Sequence, residues 1–328
     1  MGASSLGRHL AKLCMLALLA GCGSAGSGAT PGPSGGLAAL RPDVRAPSGA
    51  LMYASTGWNV YIFDFPSGTP AGQLGGFDQG FEKNGLCLDG ANDLFVTGWN
   101  HDSLKGQTYE FGPGSQTPIE KLTTGGVAHT CSVDPTTGNL AIAEIKDKLR
   151  DDHGAIAVFA GAQGDPTYYI DPQSSDFRDC AFDSSGNLYV SQDSQGNLVE
   201  LAQGSQTFET IALNAGAISG SLQWYDGELL VSSWTVKKSK DTIEQVQITG
   251  STATIVGTSV LRSKGRKRSV DQYVVSDGLV VGPAGNDKYL EMWNYPAGGQ
   301  PTKDLGRGNP GTWQGVAITS HSGAAFRP

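Results

Sequence analysis

From residue 51 onward the sequence recurs on itself with a period near 45 residues. One apolar run opens each unit: Leu51 "LMYAS", Leu94 "LFVTG", Leu140 "LAIAE", Leu188 "LYVSQ", Leu229 "LLVSS" and Leu279 "LVVGP", at intervals of 43, 46, 48, 41 and 50 residues. A turn stretch precedes five of these runs: "DGAND", "DPTTGN", "DSSGN", "YDGE" and "SDG". Asp, Asn and Gly supply the positive φ angles of tight hairpins. Another short apolar strand lies before each turn, and two more follow each opening run, as in "VYIFDFPSGTPAGQL" and "LVELAQGSQTFETI". Repeats of this length with four short strands each predict a β-propeller. A lone four-stranded sheet cannot bury both faces, whereas neighbours stacked around an axis can.

The unit beginning at Leu51 lacks a preceding inner strand, and "GVAITS" near the C-terminus lacks a following unit. Each supplies what the other lacks. The expected fold is therefore an all-β, six-bladed propeller of four-stranded antiparallel blades, with the C-terminal strand completing the first blade. It should occupy residues 49–328. The stretch "DCAFDSSGNLYVSQDSQGNLVELAQG" resembles the NHL-type repeat of six-bladed propellers, in which an inner strand, a D-x-x-G-N turn and an "LYV" strand recur. That architecture hosts lactonases, lyases and binding modules alike, so it fixes no activity.

Residues 1–22 read as a signal segment. Arg8 and Lys12 precede the apolar "LCMLALLA", which is too short to span a bilayer. "LAGC", Leu19 to Cys22, resembles the lipobox of bacterial lipoproteins. The resemblance implies cleavage before Cys22, lipidation of that cysteine and an anchored, extracytoplasmic place in the bacterial cell envelope, periplasmic or at the surface. Residues 23–48 are rich in Gly, Ser, Ala and Pro and read as a flexible tether.

Net charge is -8, which argues against nucleic acid as a partner. Beyond Cys14 and Cys22 stand Cys87, Cys131 and Cys180. An odd number cannot all pair, and each sits in an apolar strand, so buried thiols are expected rather than a disulfide.

Alternating strand direction puts two loops of every unit on one face: the loop leaving the opening run and the loop entering the next inner strand. Those loops are the longer and more varied ones, so this is taken as the site face. The tetrapeptide "TGWN" occurs there twice, at Thr56–Asn59 and Thr97–Asn100. Identical letters at matching places suggest equivalent positions, with Trp58 and Trp99 as repeat packing first and contacts second. Trp234 and Trp313 fall on the same rim, where an amphipathic ring suits either a sugar or a protein partner. The cationic run "RSKGRKR", Arg262 to Arg268, lies there too and reads as a solvated loop or a contact for an anionic partner.

Residues entering the inner strands should crowd at the axis: Asn84, His129, Arg178, Asp179, Asp271, Gln272, Trp313 and Gln314. With Trp234 they form the expected ligand-binding set. Gluconolactonase-like propellers hold a divalent metal with carboxylate and Asn ligands at such a mouth, which resemblance would assign to Asn84, Asp179 and Asp271. The glutamate expected on the opening strand has no counterpart in "LMYASTG". His101, His129 and His153 share no metal-ligand spacing. No metal and no cofactor are therefore expected. The reading is a binding or scaffold module for envelope polysaccharide or protein; the alternative is a metal-dependent hydrolase, lactonase or lyase.

Overall fold

The structure is a computed structural model that describes residues 49–145, 153–172, 174, 176–192, 196–213, 220–235, 240–263, 272–284, 288–307 and 311–320. The signal segment, Cys22, the tether, Asp271, most of the cationic run and the side chain of Trp234 lie outside them.

The described residues are almost entirely strand and turn. The chain passes through β1 (Leu51–Thr56), β2 (Val60–Asp64), β3 (Thr69–Gln73), β4 (Phe81–Leu88), β5 (Leu94–Asn100), β6 (Lys105–Phe111), β7 (Glu120–Thr124) and β8 (Ala128–Val133). It continues through β9 (Leu140–Glu144), β10 (Ala155–Phe159), β11 (Thr167–Tyr169), β12 (Phe177–Phe182), β13 (Leu188–Gln192), β14 (Asn197–Leu201), β15 (Glu209–Leu213) and β16 (Leu222–Tyr225). The last third holds β17 (Glu228–Thr235), β18 (Lys240–Thr249), β19 (Thr252–Leu261), β20 (Val274–Ser276), β21 (Leu279–Ala284), β22 (Tyr289–Asn294), β23 (Gly298–Arg307) and β24 (Trp313–Ile318).

Pairing follows the repeat. Three separate four-stranded sheets run β24-β1-β2-β3, β4-β5-β6-β7 and β8-β9-β10-β11. The groups β12 to β15, β16 to β19 and β20 to β23 are each antiparallel and are joined by short parallel contacts of β19 with β15 and β23. The last strand pairs with the first, with Tyr53 opposite Ala317 and Ala54 opposite Val316. Inner strands neighbour one another in succession, β24 with β4, β4 with β8, β8 with β12, β12 with β16, β16 with β20 and β20 with β24.

Each sheet is buried on both faces, which explains the continuous apolar runs: β1 and β9 have no exposed residue. Successive side chains go to opposite neighbours. Tyr53 and Ile62 pack with Leu86, Val96 and Tyr109 of the second sheet, whereas Met52 and Phe63 pack with Val281 and Met292 of the last. The remaining clusters each draw on two consecutive sheets in the same way, for example Phe95 with Ile142 and Leu230 with Val280. Hairpin turns meet the demand placed on them by composition. In "YDGE" and "SDG" both central residues are left-handed, Asp226 at 52° with Gly227 at 82°, and Asp277 at 49° with Gly278 at 72°.

The opening strands carry a further device. The inner strand of each of the first four units breaks register near its entry, between Lys83 and Leu86, for instance, and between Phe177 and Asp179. A buried hydroxyl from the opening strand fills three of these breaks. Thr97 Oγ1 accepts from Gly85 N at 3.1 Å and donates to His129 O of the next sheet at 2.8 Å. Ser55 Oγ accepts from Gly315 N at 3.0 Å and donates to Asn84 O at 2.5 Å. Ser191 Oγ accepts from Asp179 N at 3.2 Å and donates to Gly220 O at 2.9 Å. In the third unit Ala143 stands at this place, and Thr130 Oγ1 of the inner strand itself reaches Arg178 O at 3.2 Å.

Two expectations fail here. Ser55 and Thr97 are equivalent, so the two TGWN stretches are offset by one residue. Trp99 lies in β5 opposite Glu82 and Gly106, while Trp58 lies in the turn after β1 and is 56% exposed. Cys87 and Cys131 form a disulfide between β4 and β8, with Cα atoms 5.6 Å apart. Adjacent inner strands bring the two together although 44 residues separate them, and among the described residues Cys180 alone is left as a buried thiol.

Replacing Thr97 by Val keeps its shape but strands a buried N–H and a buried C=O, so stability in urea should fall by about 2–4 kcal/mol. Thr97→Ser should retain most of it; equal losses would assign the effect to methyl packing. Closure of a 44-residue loop predicts that reduction, or joint Cys87→Ala and Cys131→Ala substitution, lowers unfolding free energy by up to about 4 kcal/mol. The double variant should no longer respond to reductant.

Candidate functional site

Of the expected ligand set, Asn84, His129, Asp179 and Gln272 lie near the entries of inner strands, and their side chains are engaged in holding the sheets to one another. Asn84 Nδ2 donates to Ala128 O at 2.9 Å, and His129 Nδ1 lies 2.7 Å from Arg178 O. Gln272 pairs its amide with the backbone of Leu86, accepting from N at 2.9 Å and donating to O at 2.8 Å. To do so it crosses the last strand. A Cβ on Gly315 would meet Gln272 Oε1 at 2.1 Å, so a side chain there would displace the Gln272 amide from Leu86.

Asp179 is buried, and its carboxylate accepts from Ser221 Oγ at 2.6 Å, Leu222 N at 3.0 Å and Cys180 N at 2.8 Å. Burial pushes its carboxyl up from the usual range, while these donors and Thr130 pull it back. A carboxylate so committed is a bracket between β12 and β16 rather than a free metal ligand. The histidines are likewise dispersed: His101 bonds Glu82, His129 bonds Arg178 O, and His153 Nδ1 lies 3.0 Å from Ser174 O. No group of three potential metal-binding side chains occurs among the described residues.

Trp313 is corrected most plainly. It is fully buried, meets Tyr61 edge-on at 5.6 Å and donates from Nε1 to Gly306 O at 3.2 Å. It belongs to the core between the last and first sheets, because β24 turns it inward. Gln314 Nε2 donates to Thr312 Oγ1 at 2.9 Å and remains half-buried. Trp234 pairs through its backbone with Asp241.

What stands on the rim instead is Trp58, held by a closed turn. Thr56 N donates to Asn59 O at 2.7 Å, and Thr56 Oγ1 accepts from the amides of Trp58 and Asn59 at 3.3 and 3.0 Å. Gln73 Nε2 donates to Asn59 Oδ1 at 2.7 Å. The edge of the indole rests near Gly311, where a Cβ would lie 3.3 Å from Trp58 Cδ1. Beside this turn Glu82 pairs with His101 at 2.7 Å, and a Cβ on Gly57 would lie 3.4 Å from Glu82 Oε1. The Glu82–His101 pair was not legible in the sequence; the two are 19 residues apart and meet only because β4 and β5 are hydrogen-bonded neighbours.

Next to them lies Lys83, 6% exposed, whose Nζ donates to Phe81 O at 2.9 Å. It sits 4.6 Å from the Phe77 ring centre and 5.1 Å from that of Phe81. Cation–π attraction offsets part of its lost hydration, yet burial still pulls the amine down to about 8.

No protein-family model matches the chain, and no curated protein matches it. Solved structures do. A chain of a nidogen/laminin complex is 10% identical, with a TM-score of 0.61 over 82% of this chain and 98% of its own length. A putative 6-phosphogluconolactonase from Bacteroides fragilis is 12% identical, TM-score 0.53, over 83% and 98%. The β-propeller domain of Cps50 (Swd1) from Myceliophteria thermophila is 14% identical, TM-score 0.52, over 80% and 84%. The fold is a β-propeller. At these identities the likeness extends to the fold alone.

The lowered Lys83 amine carries a pH signature. Between about pH 8 and 10 the unfolded chain binds a proton that the folded one has released, so stability should rise with pH across that window. Above it the slope reverses, because burial raises Tyr109 to about 12. Lys83→Met should abolish the rise and stabilise the protein at pH 7; an unchanged profile would show that the amine is hydrated.

Proposed function

We propose that this chain is a lipid-anchored, extracytoplasmic binding module: a closed, six-bladed propeller of NHL type that captures an envelope polysaccharide or protein through its loop-rich rim. In support of closure stand the pairing of β24 with β1, the succession of inner-strand neighbours back to β24, and the apolar cluster shared by the last and first sheets. The D-x-x-G-N turn headed by Asp183, with its one-residue-longer counterpart D-x-x-x-G-N at Asp134, favours the NHL type. The Cys87–Cys131 disulfide fits an oxidising compartment. So does the Leu19–Cys22 lipobox, which makes Cys22 the anchor and residues 23–48 the tether.

The observation that carries the binding reading is Trp58. Its turn is closed by Thr56 and Asn59 without the side chain at 58, yet an indole is displayed there 56% exposed. Rigid, half-wet aromatic rings are the anchors of recognition surfaces.

The test uses the full-length protein in detergent and co-sedimentation with envelope fractions. Trp58→Ala should leave the thermal midpoint unchanged and weaken retention at least tenfold. Retention equal to wild type would overturn the reading. A stoichiometric, chelator-sensitive metal supporting hydrolysis would replace it by the metal-dependent hydrolase.

A further inference from the structure

Resting on the binding reading above, we infer that the ligand at this rim is a glycan: a pyranose ring stacks on the Trp58 indole while its hydroxyls bond the Glu82–His101 pair. The shape of the surface argues for this. The other exposed large apolar residues described are Leu104, on the next loop, and Ile119, Tyr168, Ile170 and Val256, on or beside outer strands. Among the described residues Trp58 therefore has no broad apolar surround. A protein partner of ordinary affinity needs roughly 800 Å² on each side with an apolar centre. A sugar needs one flat ring and a few directional polar groups.

Those groups are present and half-wet. His101 and Glu82 side chains are 54% and 41% exposed. Their mutual bond uses His101 Nε2 and Glu82 Oε2. Among the described residues that leaves Glu82 Oε1 as an acceptor and His101 Nδ1 as a donor or acceptor, a set that matches adjacent sugar hydroxyls. Glu82 Oε1 is the oxygen that faces Gly57, next to Trp58 in the chain, so plate and polar groups adjoin. The plate is also preorganised, since Thr56 Oγ1 fixes the turn before any ligand arrives.

The experiment titrates full-length protein in detergent with a panel of soluble oligosaccharides of glucose, mannose, N-acetylglucosamine and uronate, read by calorimetry and tryptophan fluorescence. At least one should bind saturably. Trp58→Ala should weaken that binding tenfold or more, Glu82→Gln and His101→Ala several-fold each, and Trp58→Phe should retain part of it. All variants should keep the wild-type melting midpoint, because these side chains are exposed. If no oligosaccharide binds, yet Trp58→Ala abolishes capture of an envelope protein, the glycan assignment fails and the binding reading stands. If oligosaccharide binds equally to Trp58→Ala, or nothing binds and envelope retention is insensitive to Trp58, the assignment is overturned.

Discussion

A single buried hydroxyl, bonded to its own inner strand and to the next one, is the interaction on which this structure depends. The inner strands of the first four units enter their sheets with a break in register, and a break leaves a backbone N–H without a ladder partner. Buried groups of that kind cost about 1–3 kcal/mol if left alone. Ser55, Thr97 and Ser191 satisfy them and use their own proton to hold a carbonyl of the neighbouring sheet. One side chain thus solves a problem within a sheet and fixes the spacing between sheets. Apolar packing supplies most of the cohesion, but it is non-directional. The hydroxyls give it an alignment.

The same economy accounts for the polar residues near the axis. Asn84, Asp179 and Gln272 look like convergent binding groups in one dimension. In three dimensions each reaches another inner strand: Asn84 to Ala128 and Asp179 to Ser221 and Leu222 on the adjacent one, and Gln272 to Leu86 across β24. Inner strands crowd so closely that their entry residues see one another before they see solvent. Polarity at a propeller axis is thus a poor sign of a site, and the rim, where the turn closes without the Trp58 side chain, is a better one.

How far the sequence could be read follows from the same geometry. Strand order and turn chemistry are local, and "YDGE" and "SDG" specified their hairpins outright. The pairing of the first and last strands was legible because each end of the repeat lacked what the other held. Register was not. TGWN occurs twice by letter, but Met52 rather than Leu51 matches Leu94 in packing, so one tryptophan is a turn residue and the other a strand residue. The disulfide was missed for a related reason. An odd count of cysteines says nothing about which two inner strands are adjacent, and that adjacency is a property of the assembled sheets. Trp313 was misplaced because a strand entry and a buried strand residue look alike until the pairing with Thr56 is known.

Function then divides cleanly from fold. Interior polar groups tie sheets together, one disulfide reinforces the tie between β4 and β8, and the loops carry what remains free to vary. The central claim is that the inter-sheet hydroxyls are part of the global structure rather than a local ornament. Amide hydrogen exchange of Gly85, Asp179 and Gly315, the three donors to those hydroxyls, tests it most directly. Exchange only through global unfolding, as slow as the core of β9, is the predicted result. Exchange at the rate of the exposed hairpins would contradict it.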